Sequence, residues 1–358
     1  MASDIRVEPG RFWQAAQTEL LEATRSLMAA PPGIARKTPY ARLVTAQGRC
    51  MELVHGWTVQ ALELERVRDP RMVLSLDVDG VLEGEADGFS STGLAGVAAL
   101  RLLQLGDVAV LLNTARALEA VRDRVRQFRL LGGVGAMGAV VWDGVFEREV
   151  SLLHDASGAQ LHRLRTVLRA DPPSVLHPEH QYSVRASRVA EGSIGPIPGA
   201  DARRLLDSER LDQLAFWVAP RHTDFVDRSA DKGAGITRLT RVLGLDGFPM
   251  AAMGDGACDL PMLRQSAFAF LPAATMPSYT PPRRQRLVRS RYLGDQALWD
   301  AACSLVPSPV LQRRVLAAVN ALEFPDWFPE NLRRRPSVTL RFLPRLAAAF
   351  VPARRVNR

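Results

Sequence analysis

Asp77 and Asp79 stand two residues apart at the end of an apolar run, Leu-Ser-Leu-Asp-Val-Asp-Gly-Val-Leu over residues 74–82, with Gly80 directly after them. Side chains two apart on an extended segment point the same way, so both carboxylates can face one site. Gly80 lets the backbone turn sharply just beyond. Two like charges held this close need a cation or a shared proton to relieve them. A hard divalent ion such as Mg2+ prefers carboxylate and carbonyl oxygens and is the natural partner. An Asp-x-Asp-Gly turn is common, however, and its chemistry depends on what else the chain brings to it.

The lysines narrow the search. Of 46 cationic residues only Lys37 and Lys232 are lysine. A compact ammonium fits beside a phosphoryl oxygen and a carboxylate where a planar, forked guanidinium is too bulky. Lys232 is therefore a candidate partner for the paired aspartates.

The elements that must position these groups alternate. From residue 71 the pattern is strand then helix, repeated: strands at 72–76, 108–112 and 138–142, and helices at 94–105 and from Arg116 to about residue 130. A short hairpin through Asp143-Gly144 follows. Such alternation predicts a doubly wound, mostly parallel Rossmann-like sheet covered on both faces. Residues 150–228 break the rhythm with a helix at 158–170, strands at 182–189, 214–218 and 224–227, and a helix at 201–211. This block reads as an inserted α+β cap. The core resumes with a helix at 232–243 introduced by Asp231, a strand at 249–253, and a last strand at 267–271. Ahead of it, 12–28 and 41–67 carry helical spacing, separated by Pro31-Pro32-Gly33. The division expected is a helical extension at 1–70, an α/β core at 71–149 and 229–281, the cap at 150–228, and an Arg-rich extension at 282–358. His55 lies in a helical stretch and reads as a packing or surface residue.

Asp77/Asp79, Thr114, Lys232 and Asp255/Asp259 fall in order at strand ends or helix starts, the edge of an open parallel sheet where ligands bind. In order and spacing this set resembles the haloacid dehalogenase superfamily of phosphohydrolases, over residues 71–272. The inserted block resembles the type IIB cap of the Cof-like, sucrose-phosphatase and trehalose-phosphatase branches. The resemblance implies that Asp77 is a nucleophile forming an aspartyl-phosphate. Asp79 would protonate the leaving alkoxide and then activate water. Gly80, Thr114 and the amide of Ala115 would hold phosphoryl oxygens, and Lys232 would neutralise charge on phosphate and Asp77. Mg2+ would sit among Asp77, Asp79 (through its backbone carbonyl) and Asp255, with Asp259 close by. Two positions depart from the family pattern: Cys258 stands where many relatives carry Asn, and Ala115 where Gly is usual before Arg116. Both concern loop geometry and leave the charged groups intact.

The cap is expected to supply selectivity through His177, His180, Arg185 and Arg188, with Arg116 from the core. A small phosphorylated metabolite such as a sugar phosphate suits those donors. A phosphomutase or phosphotransferase on the same fold is the enzymatic alternative. A non-catalytic interaction protein working through its basic tail is the alternative of another class.

Charge is unevenly placed. Residues 282–358 hold 15 Arg against five acids, a balance of +10, whereas the whole chain is +8, so the preceding body is slightly acidic. The basic character belongs to the tail, and no nucleic acid is expected as a partner of the main domains. Arg333-Arg334-Arg335 and the apolar-basic run at 340–355 suit weak contact with an anionic surface. Cys50, Cys258 and Cys303 are odd in number and scattered, which argues against a disulfide framework. With a start that lacks the basic-then-apolar pattern of a secretory signal, a reducing, cytoplasmic setting is expected.

Overall fold

The computed structural model describes residues 9–30, 37–86, 89–190 and 193–336. Two helices lead, α1 (Pro9–Ala29) and α2 (Lys37–Ala61). Then come β1 (Met72–Leu76), the small hairpin β2 (Gly84–Ala86) and β3 (Phe89–Ser91), α3 (Leu94–Leu105), β4 (Val108–Asn113), α4 (Leu118–Gln127), β5 (Gly132–Gly135), β6 (Val140–Asp143) and β7 (Arg148–Ser151). The next block is α5 (Asp155–Ala170), β8 (Ser174–Leu176), β9 (Val184–Ala190), β10 (Ser193–Pro196), α6 (Gly199–Ser208), β11 (Leu214–Val218) and β12 (Thr223–Asp227). The described chain continues with α7 (Lys232–Val242), β13 (Met250–Met253), α8 (Leu260–Gln265), β14 (Phe268–Leu271), β15 (Arg286–Arg289), α9 (Gly294–Leu305) and α10 (Pro309–Asn320).

Every residue of β1 is buried, and its side chains divide by pleat between two cores. Met72, Leu74 and Leu76 pack with α3, α4, α9 and α10 on one face, while Val73 joins α7 and α8 on the other. The main sheet has eight strands in the order β15-β14-β13-β1-β4-β5-β6-β7. Neighbours from β15 to β5 run parallel, and β6 and β7 complete the edge antiparallel. This is the doubly wound, mostly parallel fold expected. Residues 155–227 form a separate antiparallel sheet, β10-β9-β12-β11 with β8 on β9, backed by α5 and α6 around a core of its own.

Several local expectations change. The sheet does not stop at 267–271: β15 adds a further parallel strand, and α9 packs against α3 with Gln296 to Leu305 all buried. The first part of the Arg-rich extension thus completes the core. The helix expected at 41–67 ends at Ala61, where Glu63 takes a positive φ of 51° and Leu62 and Leu64 turn inward. β5 escaped the reading because it is Gly-Gly-Val-Gly, without the β-branched side chains that mark strands. Its glycines serve close packing: a Cβ on Gly133 would lie 2.5 Å from Val121 of α4. The Pro31-Pro32-Gly33 break and the run at 340–355 lie outside the described residues. Of the arginine triplet, Arg333 donates to the Phe328 carbonyl at 2.7 Å and lies over the Phe324 ring, and Arg335 reaches Asn320 at 3.3 Å. No helix among the described residues is long and apolar enough to cross a membrane.

The leading helices pack with the segment that follows α10. Trp13, Ala16 and Leu20 of α1 and Cys50 and Val54 of α2 share a small core with Phe328 and Leu332. His55 of α2 is wholly buried. Burial pushes its imidazole down from 6.5 to about 4, with Glu83 opposing part of that shift. The folded protein keeps His55 neutral while the unfolded chain takes up a proton near 6.5, so stability falls as pH drops between those values. The loss amounts to about 3 kcal/mol. Denaturant unfolding at pH 7 and pH 4 is expected to show a drop smaller by about that amount in His55→Gln than in wild type. An equal drop in both proteins would contradict it.

Candidate active site

Strand register brings the candidate residues to one edge. Leu76 of β1 pairs with Leu112 of β4 and Met253 of β13, so the segments beginning at Asp77, Thr114 and Gly254 leave the sheet side by side. Lys232 enters as the first residue of α7, whose N-cap Asp231 accepts from the Ala234 N–H at 2.7 Å. Buried Asn113 ties that helix start to the sheet by donating to the Lys232 carbonyl at 2.8 Å.

Lys232 is only 1% exposed. Its Nζ lies 2.8 Å from Asp77 Oδ1 and 2.5 Å from Asp259 Oδ1. Asp259 is fully buried, and its other oxygen accepts the N–H groups of Asp255 and Gly256, both at 2.9 Å. It therefore shapes the loop that presents Asp255. Asp77 Oδ1 also accepts the Val78 N–H at 2.7 Å. Gly80 has a φ of 73°, and a Cβ there would collide with the Asp255 carboxylate. Glycine is required for Asp255 to approach. The Gly80 amide, expected to meet phosphate, instead donates to the Glu83 carbonyl at 3.0 Å and closes the turn.

Asp77, Asp255 and Asp259 each offer an oxygen within 4.8 Å of the other two. Three carboxylates at this spacing fit a hard divalent cation. Asp79 is not in that set by its side chain. Its carboxylate is 60% exposed and lies in the fork of Arg116, whose Nε is 3.1 Å from both oxygens and whose Nη2 also bonds Oδ1. Arg116, expected to meet substrate, is held within the protein: Nη1 pairs with Glu83 at 2.6 Å and Nη2 donates to Ser90 at 2.9 Å. Glu83, buried and unremarked in the sequence, also pairs with Arg124 at 2.5 Å.

The two motif aspartates are pushed apart electrostatically. Burial, then the nearby Asp259, raises Asp77 well above the usual carboxylate range, with Lys232 opposing. Partial desolvation opposes charge on the exposed Asp79, but Arg116 outweighs it and holds that carboxyl low. Asp255 is raised to about 6 by burial and by Asp259. Burial pushes the Cys258 thiol up to about 12, which leaves it a protonated neighbour rather than a nucleophile.

Thr114 is buried, and its Oγ1 accepts the Arg116 N–H at 3.3 Å. The Ala115 carbonyl receives the cap: Arg185 Nη2 reaches it at 3.3 Å. Arg185 is gripped by Asp224 at 2.7 and 3.0 Å, and His222 lies 3.3 Å from the same carboxylate. His177 bonds Ser187 at 3.1 Å and lies with its ring 6.2 Å from that of His222. His180 is buried against Ser183 at 3.2 Å, and burial lowers its pKa to about 3. Arg188 does not join this group. Three residues from Arg185 on one strand, it points to the opposite sheet face and pairs with Asp201 at 2.8 Å and Asp171 at 3.4 Å. Asp224 and His222 were missed because their role depends on a cross-strand neighbour: Asp224 stands opposite Arg185 in the β12–β9 register.

No protein-family model matches the sequence, and no curated protein does. Among solved structures, the chain is similar to a Thermoplasma acidophilum protein at a TM-score of 0.52 and 13% identity, over 66% of this chain and 98% of that one. It is also similar to a haloacid dehalogenase-like hydrolase from Bacteroides thetaiotaomicron at a TM-score of 0.50 and 12% identity, over 65% of this chain and 98% of that one. At such identity the likeness is one of fold alone, a doubly wound core with an inserted cap-like block.

Proposed function

We propose that the chain is a Mg2+-dependent phosphomonoesterase acting on a small phosphorylated metabolite, with a sugar phosphate as the class of substrate. The observation that carries this reading is the gathering of Asp77, Asp255 and Asp259 around the buried ammonium of Lys232 at the carboxyl edge of a parallel sheet. Phosphoryl transfer asks mainly for positioning and charge compensation, which is what such a pocket supplies.

In this reading an Asp77 oxygen attacks phosphorus, the bond to the leaving alkoxide breaks, and Asp79 delivers the proton that the alkoxide takes. Asp79 then removes a proton from water as that water attacks phosphorus. The bond from Asp77 to phosphorus breaks and inorganic phosphate leaves. Thr114 Oγ1 and the Ala115 N–H donate to phosphoryl oxygens, and Lys232 balances their charge. A bound divalent cation would add the positive charge that keeps Asp77 ionised and offsets the phosphoryl oxygens. Arg185, Asp224, His177 and His222 offer the hydrogen-bonding groups that a polyhydroxylated substrate needs.

In this reading Arg116 orients the Asp79 carboxylate toward the leaving group and the attacking water.

A screen of phosphate esters with Mg2+ should find release of inorganic phosphate without a bisphosphate activator, which separates hydrolysis from phosphomutase chemistry. Asp77→Asn is expected to lose turnover at least about a thousandfold with its near-UV circular dichroism unchanged. Retained turnover would overturn Asp77 as nucleophile. Lys232→Met strands the buried carboxylates and is expected to cost about 3–5 kcal/mol in denaturant unfolding. Added Mg2+ should recover more stability in this variant than in wild type. An undiminished variant, or one that Mg2+ helps no more than wild type, would count against a shared site.

A further inference from the structure

Asp79 is presented by a series of contacts that begins on the N-terminal helices. Arg116 forks onto Asp79, but an ion pair to a carboxylate that is 60% exposed cannot fix a geometry by itself, being worth about 1 kcal/mol or less. Arg116 is aimed from behind, by buried Glu83 at 2.6 Å and by Ser90 Oγ at 2.9 Å, with Ser90 also donating to Glu83 at 3.1 Å. Ser90 belongs to the β2–β3 hairpin, whose two strands have three residues each and, among the described residues, pair only with one another. A two-stranded ribbon of that size does not hold its own position.

What holds it is α2. The Thr92 N–H just after β3 donates to His55 Nε2 at 3.0 Å, and Ser91 Oγ lies 3.0 Å from the same nitrogen. A backbone N–H can only donate, so Nε2 is the acceptor and the ring proton sits on Nδ1, 3.0 Å from Gln127 Oε1 on α4. The ring packs on Phe128 at 5.0 Å between centroids. One turn earlier on α2, Met51 Sδ meets Arg124 Nη2 at 3.4 Å, and Arg124 is the second guanidinium on Glu83. The helix thus touches both ends of the assembly that aims Arg116.

We infer that α2 is a positioning element of the candidate site, in which His55 anchors the β2–β3 hairpin so that Ser90 and Glu83 direct Arg116 at Asp79. The inference rests on the proposed function only in giving Asp79 a part in turnover. His55 touches neither substrate nor reacting atoms; it is a positioning residue.

Three substitutions separate this role from simple packing. His55→Gln can bring an acceptor to the Thr92 N–H, His55→Asn is a methylene too short to do so and keeps a donor toward Gln127, and His55→Leu keeps neither. All three are expected to lose stability. With p-nitrophenyl phosphate and Mg2+, at a temperature where each is folded by circular dichroism, kcat should fall about tenfold in the Asn and Leu variants with KM little changed. The Gln variant should recover most of the wild-type kcat. Hydrogen exchange at Ser90, Ser91 and Thr92 should quicken in the Asn and Leu variants and stay slow in Gln. A kcat that follows stability across the three, or exchange indifferent to the acceptor, would overturn the inference. Should wild type hydrolyse no phosphate ester, the proposed function fails while the exchange comparison still decides whether His55 anchors the hairpin.

Discussion

An ammonium buried among carboxylates is the constraint on which the rest of this structure depends. Lys232 at 1% exposure would be costly to bury unpaired, and so would the carboxylates of Asp77 and Asp259 beside it. Each is tolerable only because the others are there. To hold them together the chain must bring the ends of β1 and β13 and the start of α7 to one place, which is what parallel register and the N-cap at Asp231 accomplish. The pocket is therefore a condition of the fold as well as its candidate function.

A second layer of charge surrounds the first. Buried Glu83 and Arg124 and the partly buried Arg116 form a triad that borders Asp79 and reaches back to α2. The two layers polarise the Asp-x-Asp pair in opposite senses: burial lifts Asp77, whereas the Arg116 fork lowers Asp79. In the proposed reaction, added positive charge at the three-carboxylate cluster would favour ionised Asp77.

Much of this was legible in the chain itself, for physical reasons that differ from residue to residue. Asp77 and Asp79, an unspecific turn by themselves, stood out because Thr114, Lys232 and Asp255/Asp259 follow them in order at strand ends and helix starts. Lys232 stood out because a lysine is rare in an arginine-rich chain. The cap was legible as a break in strand–helix alternation. What escaped the reading rests on tertiary context. Arg116 looked free because its partners Glu83 and Ser90 lie 33 and 26 residues earlier in the chain. Asp224 acquires its role only from the register that places it opposite Arg185. Arg188 looked equivalent to Arg185 until the pleat set them on opposite faces. β15 and α9 were read as part of a basic tail because composition there conceals a short edge strand and a buried helix.

The central claim is that these scattered groups act together on phosphorus, with Asp77 as the atom donor. The most direct measurement is rapid acid quenching of the protein mixed with p-nitrophenyl phosphate and Mg2+, followed by mass spectrometry of the peptide carrying Asp77. The account predicts a phosphoryl adduct on Asp77 that requires Mg2+ and disappears in hydroxylamine, as an acyl phosphate must. An adduct on another residue, or turnover with none on Asp77 at times shorter than one catalytic cycle, would contradict it.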